Sequence, residues 1–147
     1  MRLAYRLACM GVVFVLCAGS AKAWTVQWDG NWATISEVRG EWTAYVTYAY
    51  PRSSGADKET VFCFIGPFRV EKNKSYSVQL RVGSGPWFDA PLTAYDHETL
   101  CAYDSGKASG LLGAIMAYGS LAIRMSLGGH WRGQTFYRGN LSDLMRK

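Results

Sequence analysis

Apolar residues along this chain recur mostly at every second position, the period of a half-buried strand. Trp24, Val26 and Trp28 alternate with Thr25 and Gln27, and after Asp29-Gly30 the run Asn31-Trp32-Ala33-Thr34-Ile35 resumes the pattern. Asp-Gly between two such runs predicts a hairpin closed by a type I′ turn, which needs two residues at positive φ. From Glu41 to Tyr50 the chain reads EWTAYVTYAY, with Trp42, Ala44, Val46, Tyr48 and Tyr50 on one face. Pro51 to Lys58 (PRSSGADK) is rich in loop formers and is expected to be an exposed, mobile connection. Thr60 to Ile65 (TVFCFI) is almost continuously apolar, which suits a central strand buried on both faces. Gly66-Pro67 ends it. Ser75 to Val82 alternates again, with Tyr76, Val78, Leu80 and Val82 inward, and Gly83 to Pro86 turns the chain. Leu92 to Tyr95 and Thr99 to Tyr103 read as short strands around the polar link Asp96-His97-Glu98.

Only Lys107 to Tyr118 has helical spacing, with Leu111, Leu112, Ile115, Met116 and Tyr118 three and four apart. Ser109 is the expected N-cap and Gly119 the expected C-cap. Ser120 to Leu127 then returns to period two, Gly128-Gly129 turns, Gln134 to Arg138 runs back, and a short helix is expected from Asn140 or Ser142. There is no repeat, linker or low-complexity tract. The pattern predicts one mainly β domain, an antiparallel β-sandwich or partly open barrel with one or two short helices.

The first 23 residues follow another plan. Arg2 and Arg6 precede an apolar core from Leu7 to Ala18, and the segment closes on Ala21-Lys22-Ala23. That is the layout of a bacterial secretory signal, with small residues at −3 and −1. A bilayer span takes about 20 apolar residues, so this core is short for an anchor. Cleavage after Ala23 predicts a mature chain of residues 24–147 starting at Trp24, located in the periplasm or secreted. A lipid anchor on Cys17 is disfavoured by Leu16, where a lipobox needs a small side chain. The arginines are also not adjacent, as a twin-arginine signal requires.

Export changes the charge balance. Three of the 16 Lys and Arg and none of the 11 Asp and Glu lie in residues 1–23, so 13 basic residues face 11 acidic ones and the net charge falls from +5 to +2. The basic residues are scattered, so nucleic acid is not an expected partner. Removing 23 of the 147 residues leaves 124, enough for one core. Of the four cysteines, Cys63 and Cys101 remain. In an oxidising compartment they are expected to form a disulfide. In the chain-entropy model, closing a loop of about 39 residues is worth roughly 3.5–4 kcal/mol. A redox pair or metal ligands are the alternatives, and the wide spacing is unlike C-x-x-C.

No catalytic constellation is visible. Asp96-His97-Glu98 offers base or metal-ligand chemistry, and a polar turn accounts for it more simply. His130 follows Gly128-Gly129 as a hairpin tip. Gly83-Ser84-Gly85 and Gly119-Ser120 lack the G-x-S-x-G pattern. No catalytic residue, metal or cofactor is therefore expected. A small hydrolase whose paired carboxylates are assembled only by the fold is one alternative. The remaining signal is aromatic: six Trp, eight Tyr and five Phe follow residue 23. Trp87 follows a Gly/Pro turn and Trp131 follows Gly-Gly-His, so both are candidate binding residues on loops. The competing reading is that they fold back over the core.

Three stretches resemble a family of small exported bacterial proteins, the invasion-associated locus B family and its shorter relatives. They are Tyr45 to Cys63, then KSYSVQLRV (residues 74–82) through Trp87, and Gly119 to Leu144. The chain lacks the further cysteines of longer members. The resemblance implies a secreted or periplasmic, non-enzymatic protein of the cell envelope, associated in some bacteria with host contact. The expected partner is a protein or envelope component, with no membrane anchor in the mature chain. An inhibitor or immunity protein against an envelope-targeting enzyme such as a lysozyme is a second alternative.

Overall fold

The computed structural model describes residues 24–49 and 60–145. The expected signal segment and the expected loop at 51–58 lie outside the described residues. The strands are β1 (Thr25–Asp29), β2 (Trp32–Arg39), β3 (Trp42–Ala49), β4 (Val61–Ile65), β5 (Ser75–Val82), β6 (Trp87–Asp96), β7 (Thr99–Ala102), β8 (Ser120–Leu127) and β9 (His130–Tyr137). Two helices, α1 (Ser105–Tyr118) and α2 (Leu141–Met145), complete the described residues. The strands form a single sheet in the order β1-β2-β3-β4-β7-β6-β5-β8-β9, and every described pairing is antiparallel. The sheet curls until β9 approaches β2 and β3, which makes a partly open barrel rather than a sandwich.

Alternation sets the two faces of the sheet. Ile35, Val46, Phe62 and Ala102 are register partners on successive strands, and all are buried on the inner face. Ala33, Tyr48, Phe64, Leu80, Leu100, Leu121, Ile123 and Phe136 extend that core. Helix α1 lies against β4, β8, β5 and β7 and buries Ala108, Leu112 and Ile115. At about 25 cal/mol per Å² of apolar surface, this shared interior is the main driving force for closing the sheet on the helix. The outer face is locally buried too. Ser36, Tyr45, Cys63, Cys101 and Thr93 lie in one cross-strand row, and the Thr34 and Thr47 hydroxyls hydrogen-bond at 2.9 Å.

Several local expectations need correction. The first hairpin turns on Gly30-Asn31, with Asp29 paired to Trp32. Gly30 has φ +62°, while Asn31 is not at positive φ. Positive φ at the first central residue alone is the type II′ pattern, not type I′. Helix α1 starts earlier than expected: Asp104, not Ser109, is the N-cap, and its carboxylate accepts the Lys107 N–H at 3.1 Å. Ser109 lies one turn inside the helix, and its hydroxyl is buried without a hydrogen-bond partner. Gly119 does cap the helix, its N–H donating to the Ile115 carbonyl at 2.9 Å. β6 runs ten residues and continues through Pro91. β7 pairs with β6 only from Thr93 onward, so Pro91 stands where β6 has an open edge on that side, a place where a missing N–H is tolerated.

The two ends of the described chain are tied together. The Trp24 backbone N–H donates to Asn140 Oδ1 at 2.8 Å, and Asn140 Nδ2 donates to the Trp24 carbonyl at 3.1 Å. Trp24 Nε1 donates to the Tyr137 carbonyl at 2.7 Å, and the indole is buried. No described helix is long and apolar enough to cross a membrane.

Candidate functional site

The two tryptophans singled out by sequence meet on the outer face of β6, β5, β8 and β9. Both are strand residues rather than loop residues: Trp87 opens β6 and Trp131 is the second residue of β9. Register brings them together. Trp87 faces Arg81, Gln79 faces both Asp89 and Arg124, Arg124 faces Gly133, and Ser126 faces Trp131. Diagonal neighbours across a ladder lie within reach of long and aromatic side chains. Arg124 uses that reach: its guanidinium carbon lies 4.1 Å from the Trp87 ring centroid and 4.4 Å from that of Trp131. The cation is held between two indoles, each contact worth about 0.5–1 kcal/mol at an exposed site.

Arg124 is also aimed from one side. Its Nε donates to Gln79 Oε1 at 2.9 Å, and Gln79 Nε2 donates to Asp89 Oδ1 at 3.2 Å. This relay takes up Nε and leaves the terminal guanidinium nitrogens without a hydrogen-bond partner among the described residues. Arg81 stacks farther off, 5.8 Å from the Trp87 centroid. Gly133 makes the arrangement possible, because a Cβ there would overlap the Ile123 carbonyl and the Arg124 Cα and Cβ. A shallow cavity of about 310 Å³ lies over this patch, lined by Trp87, Arg124, Trp131, Arg132, Gln134 and Thr135. Trp131 is 54% exposed, and Trp87 is half-buried. The patch offers two π surfaces, apolar edges and guanidinium N–H donors.

The other residues considered from sequence lie elsewhere. Cys63 and Cys101 form a disulfide between directly opposed positions of β4 and β7, packed with Tyr45, Val61, Ile65 and Tyr95. His97 sits in the β6–β7 turn, where its Nδ1 lies 3.2 Å from the Val70 carbonyl and its own carbonyl accepts the Val70 N–H. His130 opens β9. Among the described residues no three His, Cys, Asp or Glu side chains form a group able to hold a metal.

Two features were missed by sequence reasoning. The period-two reading of Ser120 to Leu127 assigns no role to Arg124. Glu37 lay beyond the run read as ending at Ile35. It shares the inner face with Ala33 and Ile35 and is 1% exposed. Neither carboxylate oxygen has a donor in good hydrogen-bonding geometry, and the nearest ion-pair partner is Arg39 Nη1 at 3.8 Å. Burial pushes the Glu37 carboxyl up to about 7, and the Arg39 charge and the Tyr137 backbone amide pull it down without offsetting that. Strongly shifted carboxyls often mark functional sites. Glu37, however, lines neither the cavity over Arg124 nor the apolar cleft beside α1.

Comparison of the chain with family models, with curated proteins and with solved structures returned no match.

Proposed function

We propose that this chain is a non-enzymatic exported binding protein of the bacterial cell envelope. It contacts a protein or other envelope component through the Trp87–Arg124–Trp131 face. The observation behind this reading is the Arg124 guanidinium held between two indoles on an exposed sheet face, its terminal nitrogens without a hydrogen-bond partner among the described residues. Trp and Arg are the residues most enriched at binding hot spots, because each combines large contact area with directional polar contacts. The secretory layout of residues 1–23 and the resemblance to the invasion-associated locus B family support the envelope setting. The test is capture of envelope components on immobilised residues 24–147. The expected result is one component retained in stoichiometric amount and recovered chemically unchanged. A component that is consumed or cleaved during incubation would contradict the reading and favour a hydrolase.

A further inference from the structure

A second surface lies on the opposite side of β6. Residues 87–91 of β6 extend beyond β7, and α1 packs mainly on β4, β8, β5 and β7, so a cleft remains between the helix and the inner face of this stretch. Lys107, Gly110, Leu111 and Ala114 form one stripe of α1 by their spacing of three and four. Opposite stand Phe88, Ala90 and Leu92 of β6 with Leu80 and Val82 of β5. Two of these helix residues, Gly110 and Ala114, are small, and a Cβ added at Gly110 would meet nothing within 4 Å. Between the two walls runs a cleft of about 390 Å³. Phe88, 44% exposed, forms part of its rim. Volumes of about 300–1,000 Å³ with apolar walls and few polar groups are typical of small-molecule sites.

Lys107 and Asp89 are the two charged residues lining this cleft. Asp89 borders it, but the Asp89 carboxylate points to the outer face and accepts from Gln79. The Asp104 carboxylate is engaged in capping the helix backbone. Lys107, in the first turn of α1, is exposed, and its ammonium has no ion-pair partner among the described residues. The positive end of the helix dipole lies at the same end.

The geometry points to a binding site for a single-chain anionic amphiphile, its acyl chain lying between α1 and β6 and its acid headgroup at Lys107. This site is independent of the Trp87–Arg124–Trp131 face.

Dodecanoate, kept below its micelle concentration, is the probe. Titrated into residues 24–147, it is expected to bind saturably at one site and to move the backbone amide signals of Ala90, Gly110, Leu111 and Ala114. Gly110→Leu fills the open space and raises helix propensity, and it should weaken binding at least tenfold with an unchanged circular dichroism spectrum. If that variant does not fold, Ala114→Met fills the same cleft, and the amide-shift map of the unmutated protein stands alone. Lys107→Gln should weaken dodecanoate several-fold and leave dodecanol unaffected, and dodecyltrimethylammonium should bind more weakly than dodecanoate. Absence of saturable binding, shifts located elsewhere, or full affinity in folded Gly110→Leu would overturn the proposal. So would self-association, or capture of an extended peptide along the open edge of β6, that Gly110→Leu abolishes while dodecanoate does not bind. Equal affinity for the three headgroups would overturn the assignment to Lys107.

Discussion

Glu37 shows how one residue can work against its own element. Its neighbours on the inner face, Ala33 and Ile35, are fully buried, and its register partner Ala44 is too small to reach it. The carboxyl is therefore held away from water beside Arg39, and burial raises it from 4.5 to about 7. The folded state thus binds this proton more tightly than the unfolded chain does. Its contribution to stability is complete below about pH 4.5 and is lost as the pH rises through about 7. At about 1.36 kcal/mol per unit, the swing is at most about 3 kcal/mol. Glu37→Gln cannot ionise, so its stability relative to the unmutated chain should improve by up to that amount between pH 5 and pH 8. Urea midpoints at the two pH values check this, and a constant difference would contradict it. The charge was legible in sequence: the alternation Ala33, Ile35, Glu37 places it inward once β2 is extended to Arg39. What the sequence could not show is that the nearest cation would stop at 3.8 Å.

At the scale of elements, period-two alternation located strands such as β5 because they bury one face, whereas β2, β4 and β7 are buried on both. β8 coincides with the apolar alternation of SLAIRMSL, and Trp42, Ala44, Val46 and Tyr48 of β3 face the core as read. The misses have separate causes. Pro91 concealed the first half of β6, because the open edge that tolerates it depends on how short β7 is. Asp104 outcompeted Ser109 as N-cap because its carboxylate reaches the Lys107 N–H one turn earlier. Half of the candidate site was computable: the two-residue Gly128-Gly129 turn pairs Leu127 with His130 and so brings Arg124 diagonal to Trp131. Trp87 was not, because it joins them only through the non-local pairing of β5 with β8. The disulfide staples β4 to β7, neighbours in the middle of the sheet. Cys63→Ala should cost about 2–4 kcal/mol, read as a lower urea midpoint in the variant and in reduced protein. Midpoints unchanged by both would show that the bond does not brace the sheet.

For the whole molecule, the question is how one curled sheet keeps its ends together without a ladder between β1 and β9. Side chains do this. Asn140 holds the Trp24 backbone from both sides, Trp24 Nε1 reaches the Tyr137 carbonyl, and Arg132 Nη2 bonds Glu41 at 2.9 Å. Asn140→Ala removes two hydrogen bonds that span the seam, each worth about 0.5–1.5 kcal/mol. It should speed amide exchange in β1 and β9 more than in β4 or β7; uniform acceleration would show that the seam is not a separate unit. Trp87, Arg124 and Trp131 are all carried on paired strands, so trimming one ring should change contact area and not the fold. The most direct test compares Trp131→Ala and Trp87→Ala with the unmutated chain, measuring affinity for the captured envelope component and melting temperature on the same samples. The expected result is binding weakened by more than about 1 kcal/mol, as hot-spot aromatics show, with melting almost unchanged. Full affinity in both variants, or a collapse of melting in either, would mean that the two indoles serve only to hold Arg124 on the sheet.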